Sequence, residues 1–226
     1  MPEIAPKIEG HSIVLIGSFN PAVFQPAWFS AENLLRKEEA ASATIDIRSR
    51  SSSFTLEWLD FRCTQDRFGA ETTSNRRFQP EPLRDLTIGT FRLLSHTPLR
   101  MLGINLYFHF QMPSVDYWHK IGHALAPKEP WKGVLDHPGM RSVWMESPRS
   151  DGYTGKINVW VEPSVQIQTG LFVSVNDHYE VPQPDSKADP KQPQGATQII
   201  DILEKVWNES LARSRKMAYS LAKIGE

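Results

Sequence analysis

The clearest pattern in the chain is a strict alternation of apolar and polar positions from Leu102 to Met112. Its apolar positions are Leu102, Ile104, Leu106, Phe108, Phe110 and Met112, and its other positions are Gly103, Asn105, Tyr107, His109 and Gln111. An alternation of period two predicts a β-strand with one dry and one polar face. A parallel strand buried on both faces would be apolar throughout. The pattern therefore predicts a long central strand in an antiparallel-rich sheet.

Shorter alternating or apolar runs predict further strands on both sides of this one. They are Ser12–Ile16, Thr44–Arg48, Phe54–Cys63, a short strand within Asp66–Asn75, Arg141–Glu146, Lys156–Val161 and Val165–Val175. Within Phe54–Cys63 the apolar phase shifts by one residue, which predicts a β-bulge near Trp58 and Leu59. Glu162–Ser164 is typical of a tight turn between the last two strands.

Apolar residues at helical spacing predict four helices. They cover about Pro26–Lys37, a segment that starts after Pro80 and stops before Pro98, about Ser114–Ala126, and a long C-terminal helix within 196–224. Before the last helix, the segment 181–195 holds four prolines and predicts an exposed linker. A C-terminal helix of roughly 40 Å would be longer than the span of the sheet. We therefore expect its far end to contact a protein partner or a second copy.

The order of predicted elements is similar in the two halves of the chain. Residues 12–97 and 98–226 each give a strand, a helix, further strands and a second helix, with Pro21 and Pro113 at corresponding junctions. This similarity suggests a duplicated β-α-β-β-α unit within one α+β domain spanning 1–226. Chance is the alternative explanation, because proline commonly starts helices. The predicted fold is an antiparallel-rich sheet with helices on one face.

Composition and net charge limit the functional classes and the cellular locations that fit this protein. The chain has 226 residues with a formal net charge of -1, which argues against a protein whose main role is gripping nucleic acid. Its single cysteine, Cys63, lies in a predicted strand and is expected to be a core residue rather than a nucleophile. No run approaches the roughly 18 apolar residues of a membrane span, and no signal-peptide pattern is present. These features predict a cytoplasmic protein without membrane association.

The turn Gly17–Pro21 resembles the opening of the nucleotidyltransferase signature, in which a Gly-x-Phe-Asn-Pro turn precedes a helix. That family also needs two histidines to stabilise the transferred phosphate, and Ala22–Pro26 contains none. A tight turn with an Asn-Pro helix start is the better interpretation. No phosphate loop, dinucleotide fingerprint or Gly-x-Ser-x-Gly elbow is present either.

His119 and His123 are four residues apart on one predicted helix, a spacing that lets two imidazoles bind one metal. Asp116 lies one turn earlier, and His137 follows in a loop that could complete the site. Two surface histidines are the simpler interpretation, because the glutamate of the hydrolytic zinc motif is absent. The sequence thus predicts no cofactor, with a divalent metal such as zinc as the alternative.

The polar face of the central strand is the candidate binding surface. Asn105, Tyr107, His109 and Gln111 could line a groove with Asp60 and Arg62 on neighbouring strands. An uncovered sheet face with amide and aromatic groups suits a ligand, a peptide or single-stranded nucleic acid. The alternative is an ordinary solvated face.

The order of elements, the glycine that opens the central strand, and the linker followed by a long helix resemble a sporadically distributed bacterial family of uncharacterised proteins. The middle strand of that family carries a Gly-x-Arg-Tyr-x-Asn pattern. Gly103 matches it, whereas Asn105, Leu106 and Phe108 depart from it. The resemblance implies no established reaction. The sequence predicts a non-enzymatic binding or assembly component, with a metal-dependent enzyme at His119 and His123 and a nucleic-acid-binding protein as alternatives.

Overall fold

A computed structural model describes residues 4–48, 50–73, 79–181 and 195–226. Nine strands form one sheet, and every neighbouring pair is antiparallel. The strands are β1 (Pro6–Gly17), β2 (Thr44–Arg48), β3 (Ser51–Thr55), β4 (Leu59–Thr64), β5 (Arg67–Thr72), β6 (Leu99–Gln111), β7 (Val143–Pro148), β8 (Gly155–Pro163) and β9 (Gly170–Glu180). β6 is the predicted central strand.

Five α-helices accompany the sheet among the described residues, which confirms the predicted α+β class. They are α1 (Pro26–Ala31), α2 (Lys37–Ala41), α3 (Glu81–Leu93), α4 (Val115–Leu125) and the long α5 (Gly195–Ala222). Ser114 caps α4, because its side chain accepts a hydrogen bond from the Tyr117 amide. No described helix is long and apolar enough to cross a bilayer.

The strand order is β2-β3-β4-β5-β1-β6-β9-β8-β7, and the two halves of the chain follow the same connection pattern on either side of the β1–β6 pair. In each half the first strand lies at the centre, and the last strand of that half returns to pair with it. The halves differ in strand number, since four strands follow β1 and three follow β6. Each half therefore has more strands than the predicted β-α-β-β-α unit.

The dry face of the sheet supports the helices and forms the core. α5 lies against β6 and β9, α3 contacts β1, β5 and α5, and Phe29 of α1 packs on Phe54 and Phe61. The fully buried side chains include Leu15, Phe68, Leu106, Val173 and Trp207. Alternation thus assigns one face of every central strand to the helices and leaves the other face open.

The C-terminal helix runs along the whole of β6. At its start, a Cβ on Gly195 would lie 2.0 Å from the Leu99 carbonyl oxygen, and near its end the Tyr219 ring lies 5.4 Å from Phe110. Its 28 residues span about 42 Å and the 13 residues of β6 span about 43 Å. Ala222 is buried, and its carbonyl accepts a hydrogen bond from Tyr117 of α4. The prediction that the helix would extend past the sheet is therefore wrong.

Three predicted elements differ in their boundaries. The phase change near Trp58 comes from a turn between β3 and β4, in which Leu56 N bonds Leu59 O, and there is no bulge at this position. The predicted first helix breaks at Asn33, which adopts a φ of 59°. The strand predicted over Val165–Val175 begins at Gly170, because Thr169 has a φ of 53° and the chain turns there. Most of the predicted 181–195 linker lies outside the described residues.

A buried ion-pair network fixes α5 to the sheet in the C-terminal half. The Asp177 carboxylate on β9 accepts hydrogen bonds from Arg149 and from Arg213 of α5, the latter at 2.6 Å. Arg149 also lies 3.6 Å above the Tyr179 ring and pairs with Asp151. Burial lowers the pKa of Arg149, but its hydrogen bonds to Asp151 and Asp177 outweigh burial, so the pKa is raised and the cation persists.

Candidate functional site

The open face of the sheet carries the candidate binding residues predicted from the sequence. A row of polar side chains crosses all nine strands in register, and we call it the polar row. From β2 to β7 it consists of Thr44, Thr55, Asp60, Glu71, Ser12, Asn105, Asn176, Asn158 and Glu146. Each member pairs directly with the next across the sheet. Opposed residues share a face in antiparallel strands, so the row is continuous.

The centre of the polar row is a chain of hydrogen bonds between side chains. Asn158 Nδ2 donates to Asn176 Oδ1 at 2.8 Å, and Asn176 Nδ2 donates to Asn105 Oδ1 at 2.5 Å. Asn105 Nδ2 donates to Ser12 Oγ at 3.0 Å. Gly103 leaves the room for this chain, because a Cβ there would lie 2.8 Å from Asn176 Nδ2. The amides therefore have fixed positions on the face.

A second row of side chains runs beside the polar row, two residues further along the strands. We call it the aromatic row, and its rings are Trp144 on β7, Trp160 on β8 and Tyr107 on β6. The two tryptophan rings stack with centroids 5.3 Å apart and remain 61% and 39% exposed, respectively. Phe172 lies next to Tyr107, with ring centroids 6.3 Å apart. Large rings thus lie on the solvent side of the sheet.

Tyr107 connects the two rows. Its ring lies over Gly10 of β1, where an added Cβ would be 2.0 Å from Tyr107 Cζ, and its hydroxyl reaches the Glu71 carboxylate of β5. Burial raises the pKa of Tyr107, and the charge of Glu71 raises it further. Burial also raises the pKa of Glu71, and the hydrogen bond from Tyr107 does not fully offset that effect. The tyrosine is therefore a neutral donor at neutral pH.

His109 and Gln111 have different environments from Asn105 and Tyr107. His109 is 4% exposed, its ring centroid lies 4.8 Å from that of Phe172, and its Nδ1 is 2.8 Å from Ser164 Oγ. Burial lowers its pKa, which favours the neutral imidazole. Gln111 donates to the Gln168 carbonyl at 2.9 Å and so orders the loop before β9. All four predicted residues lie on the same face of β6. Asn105 and Tyr107 belong to the two rows, whereas His109 and Gln111 contact the loop before β9 at the edge of that face.

The N-terminal part of the open face contains a concave site. Its volume is about 640 Å³, and its lining includes Gly69, the charged residues Arg62, Arg67 and Glu71, and the apolar residues Val14, Phe61 and Ala70. Hydroxyl groups of Ser12, Ser53, Thr55 and Thr64 complete its lining. Thr55 donates to Asp60 Oδ1 at 2.7 Å. The polar row therefore leads from the asparagine chain into a cavity, as the sequence suggested for Asp60 and Arg62.

The structure places Asp116, His119 and His123 on the exposed side of α4. Among the described residues, no group of three or more histidine, cysteine or acidic side chains could hold a metal ion. The metal site stays a prediction for which the described geometry supplies no third ligand. Cys63 is buried on β4, and burial raises the pKa of its thiol to about 12. Its position in the core confirms the interpretation from the sequence.

Sequence reasoning missed Glu71, Asn158, Asn176, Trp144 and Trp160. A signal for Asn158 and Trp160 was present, because they alternate with Ile157, Val159 and Val161. Register across the sheet is what joins them to Asn105, and a single strand does not contain that information. In comparisons with known proteins, no family model matches the chain, and no curated protein matches it.

Proposed function

We propose that this protein is a non-enzymatic binding component and that its binding surface is the open face of the sheet. The observation that carries the proposal is the stacked pair of Trp144 and Trp160 on that face. As a cross-strand pair on the two outermost strands at this edge, the indoles contribute at most about 1 kcal/mol to strand pairing, and Trp144 still leaves 61% of its surface in contact with water. The fixed amides of the polar row beside them supply directional hydrogen bonds. Exposed rings with ordered polar groups are typical of a recognition surface.

Basic and acidic side chains lie next to one another on this face, including Arg62 and Arg67 beside Asp60 and Glu71, and this mixed charge makes nucleic acid the weaker candidate ligand. Glu146 pairs with Lys156 at 2.8 Å, Asp46 pairs with Arg48, and Glu162 accepts a hydrogen bond from Trp160 Nε1. Binding to a phosphate backbone needs unpaired cations and would weaken steeply with added salt. The enzyme alternative at His119 and His123 likewise has no third metal ligand among the described side chains.

The proposal also covers the evolutionary origin of the fold and the cellular compartment of the protein. The shared connection pattern on either side of β1 and β6 supports a duplication of one β/α unit. We also propose a cytoplasmic role in a bacterial protein assembly and kinship with the uncharacterised family that the sequence resembles. The buried, single Cys63 supports a reducing compartment. Burial of the end of α5 shifts the proposed contact surface from the long helix to the open face.

The test is native mass spectrometry of the protein purified gently from its own host. We expect a bound ligand or partner on the wild-type chain and its loss from the double variant Trp144→Ala, Trp160→Ala. Trp131→Ala is the matched control, since Trp131 is also exposed but lies outside the open face. Retention of the bound species by the double variant, or a bare wild-type chain, would contradict the proposal.

A further inference from the structure

Two parallel rows of side chains distinguish the C-terminal part of the open face. Trp144, Trp160 and Tyr107 of the aromatic row are each two residues from Glu146, Asn158 and Asn105 of the polar row, on β7, β8 and β6, respectively. Two residues along a strand span roughly 7 Å, which is close to the width of one sugar ring. A molecule lying across the strands would therefore contact rings along one side and amides along the other.

We propose that this face binds a neutral oligosaccharide, which lies across the strands between the aromatic and polar rows. A pyranose ring has an apolar C–H face that packs on indole or phenol rings, and hydroxyl groups around its edge that pair with amides and carboxylates. The inference rests on the proposed function of the open face and names the class of its ligand.

The asparagines of the polar row are prepared for such a ligand. Each amide has two N–H donors, and Asn158 and Asn176 each use one of them within the row. Among the described residues, the second N–H of Asn158 and of Asn176 has no hydrogen-bond partner, and neither does the buried Oδ1 of Asn158. Because the row holds both amides in fixed positions, the ligand does not need to order them on binding.

The charges of this region favour a ligand without net charge. Lys156 forms an ion pair with Glu146, and the Glu162 carboxylate accepts a hydrogen bond from Trp160 Nε1. Beyond Ser12 the polar row enters the 640 Å³ cavity, where Asp60, Glu71 and Thr55 present oxygen acceptors next to Arg62. Acceptors and donors that lie side by side, including Arg67 in the same cavity, match the vicinal hydroxyls of a sugar better than they match a phosphate chain.

The experiment is ¹⁵N NMR titration of the full-length protein with maltohexaose, cellohexaose, xylohexaose and chitohexaose at millimolar concentration. We expect at least one of them to shift the side-chain signals of Asn158 and Asn176 and the indole signal of Trp160. Asn176→Ala and Trp160→Ala should each weaken the affinity about tenfold. Trp160→Ala keeps the test valid if loss of Asn176 disturbs the fold, because Trp160 is partly exposed.

Two matched controls separate the open face from general surface effects. Asn208→Ala changes an exposed asparagine of α5, and Trp131→Ala changes an exposed tryptophan outside the sheet, so both should keep wild-type affinity. The inference is overturned if none of the sugars shifts these signals, if the controls weaken binding equally, or if oligothymidylate alone shifts them. A host-derived ligand lost with Trp144 and Trp160, without any sugar binding, would retain the proposed function and reject the sugar.

Discussion

In the N-terminal half of the chain, from Pro6 to Leu93, every described phenylalanine lies in the helix-covered core. These residues are Phe19, Phe24, Phe29, Phe54, Phe61, Phe68 and Phe91, and their rings contact one another. The C-terminal half also buries Phe108 and Phe110, but it places a second set of rings, including Trp144 and Trp160, on the open face. Under its helix it holds the Arg149–Asp177–Arg213 network instead.

This difference separates the rings that stabilise the fold from the rings that we propose bind a ligand. Rings under the helices bury apolar area and stabilise the native state. Rings on the open face remain in contact with water and therefore stabilise the native state less, and under the proposed function they contact the ligand. The two halves share a strand arrangement, and among the described residues only the second half places aromatic rings on both faces of its strands. We expect variants of the two sets of rings to behave differently.

Removal of a ring from the buried phenylalanine cluster should have the largest effect. Phe68→Ala leaves a cavity between Phe61 and Phe91, and we expect the free energy of unfolding to fall by about 4 kcal/mol. Urea unfolding followed by circular dichroism measures the change. A loss below that of Phe68→Leu would mean that the cluster does not carry the stability of this half.

Breaking the ion-pair network of the C-terminal half should cause the second-largest loss of stability. Asp177→Ala removes the carboxylate that pairs with both Arg149 and Arg213 and leaves Asp151 as their remaining acidic partner, and we expect a loss of about 3 kcal/mol. The same urea measurement applies. Asp46→Ala, which breaks the exposed pair with Arg48, is the control and should leave stability nearly unchanged. Equal losses in the two variants would show that burial of the network is unimportant.

His109 should give a pH dependence to the C-terminal half. Burial lowers its pKa in the folded state, so the unfolded state binds the proton more readily. The contribution of neutral His109 to the free energy of unfolding should therefore be complete above the ordinary histidine pKa of 6.5, and it should decline as the pH falls below that value. His109→Gln should flatten this part of the profile of unfolding free energy against pH. An unchanged slope would assign the dependence to other groups.

Loss of the exposed rings should have the smallest effect on stability. Trp144→Ala removes a side chain that is mostly in contact with solvent, so we expect a change of less than about 1 kcal/mol. Thermal unfolding next to Phe68→Ala gives the direct comparison of the two sets of rings. A large drop for Trp144→Ala would mean that the indole pair is a structural element, and the proposed binding role would lose its main support.

Local pattern predicted the fold class and much of the site. The alternation in Leu102–Met112 predicted the central strand and placed Asn105 and Tyr107 on its polar face, because the period of two is a property of the strand itself. It did not predict the turn at Trp58, which is closed by the hydrogen bond from Leu56 N to Leu59 O, or the break at Asn33, which depends on a φ of 59° at that residue. It also missed the partnership of Asn105 with Asn176, since cross-strand register follows from tertiary pairing.

The position of β1 beside β6 has a consequence for how the chain reaches its native state. Ile13 pairs with Ile104, so the middle of the sheet forms between segments that are far apart in sequence. Such non-local pairing slows folding, because the intervening chain must lose entropy before the contact forms. During synthesis the N-terminal half would wait with one edge of β1 uncovered until β6 leaves the ribosome. An uncovered strand edge can pair with another chain, so we expect the tendency to aggregate to be greatest during that interval.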